Sequence, residues 1–251
     1  MPEKEAESDP WEQICVDLIG PYTIKQKDGE NELKLQAITM IDPATGWFKI
    51  HEYNDKRAIT IVNIVEQQWL ARYPRPSLIT CDQGDEFTGH EFQKTCQDEH
   101  GMKTKPITVR NPQANVIIKR THQATGNMVR TFEVEDTCMD EDDPCAGTLA
   151  AMVFAACSTC HAALQATPGQ LVCGRDMTFN IKHVTDWDSI KQQKQERIKH
   201  NNRKENKKRT PHVCDVGDKV LMTRHDVCKC ERPYEGPCKI RQVNNNGTVK
   251  I

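Results

Sequence analysis

The sequence has no apolar run that approaches the length needed to span a bilayer, and its first residues, Met1–Glu5, do not form a secretory signal peptide. We therefore expect an intracellular protein without a membrane partner. Hydrophobic residues make up 37% of the 251 positions and charged residues 28%, a composition that fits a polar globular protein. This length exceeds that of a typical single domain, so we expect one core domain and an appendage.

A disulfide framework is also missing from the pattern, although the chain contains 12 cysteines. Cys15, Cys81 and Cys157 lie inside apolar strand or helix patterns, where a free thiol behaves as a small hydrophobe. The C-terminal His and Cys residues do not have the spacing of a common structural zinc site: His212, Cys214, Cys228, Cys230 and Cys238. We expect neither disulfides nor zinc.

Positive and negative charges nearly balance over the whole chain, with a formal net charge of −2, but they are unevenly distributed along it. Residues 190–251 contain 16 Lys or Arg and 7 Asp or Glu, a net charge of +9, which leaves −11 for the first 189 residues. A basic tail on an acidic core predicts a polyanionic partner for the tail.

Two short apolar runs each carry one aspartate. Ile14–Gly20 has the composition of a buried strand and contains Asp17, and Ser77–Cys81 is a second such run that is followed directly by Asp82. An uncompensated carboxylate inside an apolar strand is energetically costly. Asp17 therefore needs either a partner or a metal ion.

The remaining patterns of the first half predict alternating strands and helices. Further strands are expected at Leu33–Ile41, Trp47–Tyr53 and Met102–Lys105, and helices at Ala58–Arg72, Glu91–Glu99 and Val116–Phe132. Phe87 and Gly89 indicate a loop between Asp82 and the helix at Glu91–Glu99. The order of three strands, helix, strand, helix, strand, helix predicts a mixed five-stranded sheet with helices on both faces.

The second half is more polar. An acidic stretch expected to be a loop at Glu133–Asp143 is followed by an Ala-rich helix at Cys145–His161, which a break at Thr167–Gly169 ends. A long polar helix is expected at Asp186–Arg209. Three strands follow, at Val216–Met222, Pro237–Arg241 and Thr248–Ile251. The last strand is interrupted at Ile251. We therefore expect the chain to be a fragment that ends inside a small β domain.

Motifs along nearly the whole chain resemble the integrase of Ty3/gypsy-type retrotransposons. They are Trp11–Pro21, Cys81–Phe87, the Asn-Pro-Gln-Ala-Asn turn at Asn111–Asn115 and Thr167–Val172. The tail patterns Val216–Leu221 and Pro233–Pro237 are similar to the small SH3-like β-barrel that follows the integrase core. The zinc-binding module that usually precedes that core is not recognisable.

The resemblance implies an α/β protein with a ribonuclease H-like core. In this sequence it implies a disordered segment at 1–11, the core at 12–180, a helical basic linker at 181–211 and a truncated, partial SH3-like β-barrel at 212–251. It further implies a polynucleotidyl transferase that joins element DNA to host DNA with Mg²⁺ or Mn²⁺, held by an Asp, Asp, Glu triad. DNA is the expected partner, a homo-oligomer is expected by analogy, and the nucleus is a compatible location.

The triad is the point at which this chain departs from the resemblance. Asp17 matches the first position and Asp82 the second, but the third falls on Lys119, where the family has Glu. Phosphodiester transfer in this class uses two cations about 4 Å apart, and Mg²⁺ requires oxygen ligands. An ammonium group removes one ligand and changes the local charge by about two units. We expect weakened metal binding and lost or severely impaired catalysis.

Three alternatives stay open at this point. Lys119 could place its ammonium between Asp17 and Asp82, or Asp85 and Glu86 could supply the missing carboxylate to a working transferase with an altered triad. The chain could also be a host-adopted, non-catalytic DNA-binding or scaffold protein. The residues expected to contact nucleic acid are Lys119, Arg120, Gln123, Arg203, Lys204, Lys207, Lys208 and Arg209; His122 lies among the first of these on one polar helix.

Overall fold

The structure is a computed structural model that describes residues 9–25, 32–107, 120–124, 126–127, 144–162, 164–207, 214–223, 232, 234–244 and 249–251. The chain forms two compact units. Among the described residues, one unit lies within Glu7–Lys191 and the other within Gln192–Ile251.

The larger unit is built on a mixed five-stranded sheet. Its strands are β1 (Gln13–Lys25), β2 (Glu32–Ile41), β3 (Phe48–Glu52), β4 (Leu78–Cys81) and β5 (Lys103–Pro106). They lie in the order β3-β2-β1-β4-β5, with antiparallel pairing among the first three and parallel pairing of β1 with β4 and of β4 with β5. The predicted mixed five-stranded sheet is confirmed, and β1 is its central strand.

A glycine bends β1 shortly after Asp17. Gly20 has a φ of 95°, and a Cβ there would collide with the carbonyl oxygen of Leu35 on β2. The pairing of β1 with β2 shifts register between Ile19 and Tyr22. Only glycine fits this position, and the bend separates the Asp17 part of the strand from its C-terminal part.

The helices of this unit are α1 (Ala58–Val65), α2 (Asp85–Thr88), α3 (His90–Lys94), α4 (residues 120–124 and 126–127), α5 (Pro144–Ser158) and α6 (Pro168–Cys173). α1 continues as a π-helical turn over Glu66–Leu70, and α3 continues as another over Thr95–Glu99. A further helix, α7, spans Trp187–Asn206. The predicted loop at Glu133–Asp143 lies outside the described residues.

Two sequence predictions were wrong in detail. The expected loop at Phe87–Gly89 contains the second half of α2, because the buried Phe87 fixes one helical turn shortly after Asp82. The expected break at Thr167–Gly169 is the start of α6. There the Thr167 hydroxyl accepts a hydrogen bond from the Gln170 N–H, and the Gln170 side chain accepts one from the Thr167 N–H, which forms a capping box.

The core lies around the sheet and under α1 to α3. Its largest fully buried side chains come from strands β1 to β4, from α1 to α3 with the π-helical turn after α1, and from the residue before β5: Ile14, Leu35, Ile38, Met40, Ile41, Phe48, Ile61, Trp69, Ile79, Phe87, Phe92 and Met102. Cys15, Cys81 and Cys157 are also buried, and all cysteines whose side chains the structure describes are free thiols. Within the described ranges, no helix is both long enough and apolar enough to cross a membrane.

The smaller unit contains short antiparallel pairs. β6 (Lys219–Thr223) pairs with β7 (Tyr234–Lys239), and β8 (Gln242–Val243) pairs with β9 (Val249–Lys250). These pairs form two separate two-stranded sheets. The partial SH3-like barrel therefore stays a prediction, as do the predicted domain boundaries.

Phe87 provides a test of the fold at the Asp82 turn. Its ring packs edge-to-face on Phe92 with centroids 5.4 Å apart, and both side chains are fully buried. Phe87→Ala should lower the free energy of unfolding by about 3–5 kcal/mol, because it leaves a cavity between α2 and α3. Urea denaturation measures this loss. Phe179→Ala, at a side chain that is 65% exposed, is the control and should change stability by less than about 0.5 kcal/mol. Equal effects of the two variants would contradict the packing described here.

Candidate functional site

Strand register brings the two predicted aspartates to neighbouring places on the sheet. β1 and β4 run parallel, with Cys15 paired to Thr80. Asp17 and Asp82 each follow those paired residues by two positions. Asp17 lies within β1, and Asp82 follows the last residue of β4 directly, so the two aspartates lie near each other along adjacent parallel strands. The register thus places Asp17 and Asp82 on neighbouring strands, and their role as site residues stays a prediction.

The pKa of the Cys81 thiol is affected by the negative charge of the two aspartates. Burial raises the pKa of Cys81 to about 12, and the nearby negative charges of Asp82 and Asp17 contribute to that rise. The Cys81 side chain is fully buried. It therefore stays protonated and behaves as a buried apolar side chain of β4.

Asp17 has close partners on three elements. Its Oδ1 accepts a hydrogen bond from the Leu18 N–H at 2.9 Å, and its Oδ2 lies 3.7 Å from Nδ1 of His122 on α4. Its main-chain oxygen accepts a hydrogen bond from the Thr39 hydroxyl on β2, also at 2.9 Å. The side chains of Asp17 and His122 are only 16% and 17% exposed. The partner that the sequence predicts for Asp17 is therefore an imidazole.

Asp82 is arranged differently. Its side chain is exposed, and its Oδ1 accepts a hydrogen bond from the Gly84 N–H at 3.0 Å, which closes the turn into α2. The Glu86 carboxyl group folds back over Gly84, where an added Cβ would lie 2.6 Å from Glu86 Cδ. Glu86 also contributes, after burial, to raising the pKa of Tyr53. Asp85 is exposed on the first turn of α2.

These residues do not form the two-metal site that the resemblance implies. Within the ranges that the structure describes, no three His, Cys, Asp or Glu side chains are grouped so that they could hold a metal ion. The third triad position, Lys119, lies outside those ranges. The hypothesis that its ammonium lies between the two aspartates therefore stays a prediction. A lysine ammonium offers no lone pair to a cation. The described donors are two carboxylates and an imidazole, which do not fit a pair of Mg²⁺ ions.

The residues predicted to contact nucleic acid are partly described. Arg120 and Gln123 are exposed on α4, and Arg203, Lys204 and Lys207 are exposed at the C-terminal end of α7. Lys208 and Arg209 lie outside the described residues. Arg203 and Lys204 are four and three positions before Lys207, which directly follows α7 and donates its N–H to the Arg203 main-chain oxygen, so the three cations lie on one side of the helix end.

Sequence reasoning missed the roles of His122 and Thr39. His122 was predicted only as part of a polar helix face, although it lies three positions after Lys119 and would therefore share a face with it in a continuous helix. That spacing was the available signal. Thr39 gave no signal, because its contact with Asp17 depends on the register of β1 with β2.

Comparison with known proteins supports a retroelement origin of the chain. No protein-family model matches the chain. The retrovirus-related Pol polyprotein from transposon 412 of Drosophila melanogaster is 22% identical over 272 residues, an alignment that covers 96% of this chain. The chain spans 20% of the length of that relative.

Solved structures resemble the chain as well. The simian T-cell lymphotropic virus intasome in complex with PP2A regulatory subunit B56 gamma gives a TM-score of 0.54 at 16% identity, over 70% of this chain and 59% of that one. The HTLV-2 integrase catalytic core domain in complex with magnesium gives 0.49 at 15% identity, over 64% and 95%. The predicted resemblance to an integrase of retroelement origin and the ribonuclease H-like core are confirmed, whereas the Ty3/gypsy class stays a prediction.

Proposed function

We propose that this chain is a DNA-binding integrase core of retroelement origin in which strand-transfer catalysis is lost or severely weakened. The observation that carries this proposal is the environment of Asp17. Its carboxylate faces the imidazole of His122 at 3.7 Å, in a region where the described residues offer no third carboxylate to a metal ion. The sequence adds Lys119 at the position where the resemblance requires Glu.

Loss of chemistry follows from the ligand set. Two cations close together repel each other, and the carboxylates of a two-metal site reduce that repulsion while fixing the geometry of both ions. Asp17 and Asp82 supply two carboxylates from two strands. With Lys119 in the third place, the positive charge increases where negative charge is needed. The second cation then has too few ligands to be held.

A metal-dependent transferase with an altered triad is the second candidate. The parallel register of β1 and β4, which places Asp17 and Asp82 on neighbouring strands, favours it. The Glu86 carboxyl group over Gly84, two residues from Asp82, is the carboxylate best placed to assist. In this candidate, Asp17 and Asp82 would hold Mg²⁺ or Mn²⁺ and the segment with Asp85 and Glu86 would have to move to supply a third carboxylate, because the described side chains are not grouped as a metal site.

DNA binding depends on a different part of the chain. Residues 190–251 carry the positive charge of an otherwise acidic protein, and the exposed side chains of Arg203, Lys204 and Lys207 concentrate part of it on one side of the C-terminal end of α7. Such a surface contacts phosphates without reading base sequence. We therefore assign this chain a non-specific DNA affinity, with the nucleus as its site of action.

Self-association is proposed on the basis of α5. Gly147, Ala150, Ala151 and Phe154 follow helical spacing on this helix, and Phe154 is 48% exposed. A helix face of small residues with one aromatic side chain permits close packing of two copies. The HTLV-2 integrase catalytic core domain has a dimeric and a trimeric form. We propose that this chain is also a homo-oligomer.

The catalytic proposal is tested by a strand-transfer assay with Mg²⁺ or Mn²⁺ on an oligonucleotide substrate. The unaltered chain should give no product above background, and Asp82→Asn should not change that result. Lys119→Glu should raise Mn²⁺ affinity by about tenfold or more, because it restores a ligand carboxylate. Metal-dependent joining by the unaltered chain that Asp82→Asn abolishes would establish the transferase with an altered triad.

The DNA proposal is tested by the salt dependence of duplex binding. Replacing Arg203, Lys204 and Lys207 together by Ala should weaken binding. It should also reduce the slope of log K against log salt by about 0.9 for each phosphate that the variant no longer neutralises. Replacing Lys56, Arg75 and Lys94 by Ala removes the same charge from another part of the chain and is the control. An identical decrease in the control would show that only net charge matters.

Oligomerisation is tested by sedimentation equilibrium. Phe154→Glu should shift the population towards monomer by about tenfold or more in the association constant, because it buries a charge in the proposed interface. Phe179→Glu places the same charge at another exposed phenylalanine and should leave association unchanged. Association that is insensitive to Phe154→Glu would exclude the α5 face as the interface.

A further inference from the structure

The helical residues of α4 lie against β1 at two places. His122 contacts Asp17 and Thr39, and a Cβ added to Gly126 would lie 3.9 Å from Oη of Tyr22. His122 and Gly126 are four positions apart, so they share one face of the helix. The face of α4 that packs on the sheet thus includes His122 and Gly126. The contact of His122 with Asp17 is one of the contacts that hold this helix on the sheet.

The hydrogen-bond network fixes the orientation of the imidazole. The Thr39 hydroxyl has one hydrogen, which it donates to the Asp17 main-chain oxygen at 2.9 Å. In the tautomer that carries its proton on Nε2, His122 then donates to the Thr39 oxygen, 2.7 Å away. Because Thr39 is fully buried, this arrangement is shielded from competing water. Nδ1 is the nitrogen that remains to face Asp17 Oδ2.

We propose that His122 is a positioning residue that clasps α4 onto β1 and β2 and takes the place beside Asp17 that a divalent cation would need. We call the linkage of Asp17, His122 and Thr39 the Asp17 clasp. The inference rests on the proposed loss of catalysis and deepens it. Asp17 holds a helix on the sheet, and this role does not require a metal ion.

Competition between the ring and a cation follows from the available space. Mg²⁺ binds carboxylate oxygen at about 2.1 Å and keeps several water ligands. The space beyond Asp17 Oδ2 is bounded at 3.7 Å by the ring nitrogen of His122, and the carboxylate is largely buried. A hydrated ion that binds Oδ2 on this side must therefore either displace the ring, which breaks the hydrogen bond to Thr39, or exchange a water ligand for Nδ1. The change in Mn²⁺ affinity on replacing His122 distinguishes the two, and we expect displacement.

The test combines metal affinity with thermal stability in the full chain. Mn²⁺ binding is followed by electron paramagnetic resonance, and Tm is measured in metal-free buffer. His122→Ala should raise Mn²⁺ affinity by about tenfold, since it frees the Asp17 carboxylate, and should lower Tm by about 2–4 °C. His90→Ala, at an exposed histidine on α3, is the control and should change neither quantity.

Two further variants identify the partner. Asp17→Asn in the His122→Ala chain should abolish the gained Mn²⁺ affinity. The decreases in Tm from Asp17→Asn and His122→Ala should be less than additive in the double variant, because both break one linkage. If His122→Ala does not fold, His122→Asn keeps an amide donor near Thr39 while leaving space beside Asp17, and the same gain in Mn²⁺ affinity is expected.

Either of two results overturns the Asp17 clasp. A decrease in Mn²⁺ affinity on replacing His122 would make the ring a metal ligand, and unchanged affinity would show that it does not compete. These outcomes are independent of the proposed function, which fails instead if the unaltered chain joins DNA strands in a metal-dependent reaction.

Discussion

The pairing of β1 with both of its neighbours determines the place of every group at the candidate site. β1 is the central strand, so its register sets Asp17 opposite Thr39 on β2 and in line with Asp82 after β4. A slip by one residue would turn Asp17 to the opposite face and expose its apolar neighbours, which the buried Val16 and Ile38 strongly oppose. The hydrophobic core therefore fixes the geometry of the polar site.

Two aspartates of this fold show how a carboxylate is accommodated in different ways. Asp42 is fully buried, and its carboxyl group accepts hydrogen bonds from the N–H groups of Trp11 and Ala44 and from the Thr45 hydroxyl. Burial raises the pKa of Asp42, and these donors lower it in part. Asp17 has a side-chain contact from a separate helix instead. Asp42 is satisfied within its own turn and by Trp11, whereas Asp17 connects distant parts of the chain.

Much of the fold could be predicted because its signals are local. The apolar runs around Asp17 and before Asp82 specify strands, and the order of elements specifies a mixed sheet. The helical turn at Phe87 could not be predicted, because its stability comes from burial against Phe92 and not from a local pattern. The contact of His122 with Asp17 joins residues 105 positions apart, so only tertiary packing reveals it. The sequence alone shows that Lys119 stands where the resemblance requires Glu. The effect of this lysine on metal binding depends on the three-dimensional arrangement of the site.

In our proposal the site keeps two aspartates in place and no longer holds a pair of cations. A crystal structure of the chain soaked with Mn²⁺, with anomalous scattering recorded at the manganese edge, tests this most directly. We expect the His122 ring to stay within about 3.7 Å of Asp17 and in hydrogen-bond contact with Thr39, with no manganese pair at the aspartates. Two manganese peaks about 4 Å apart, both coordinated by Asp17 and Asp82, would contradict it.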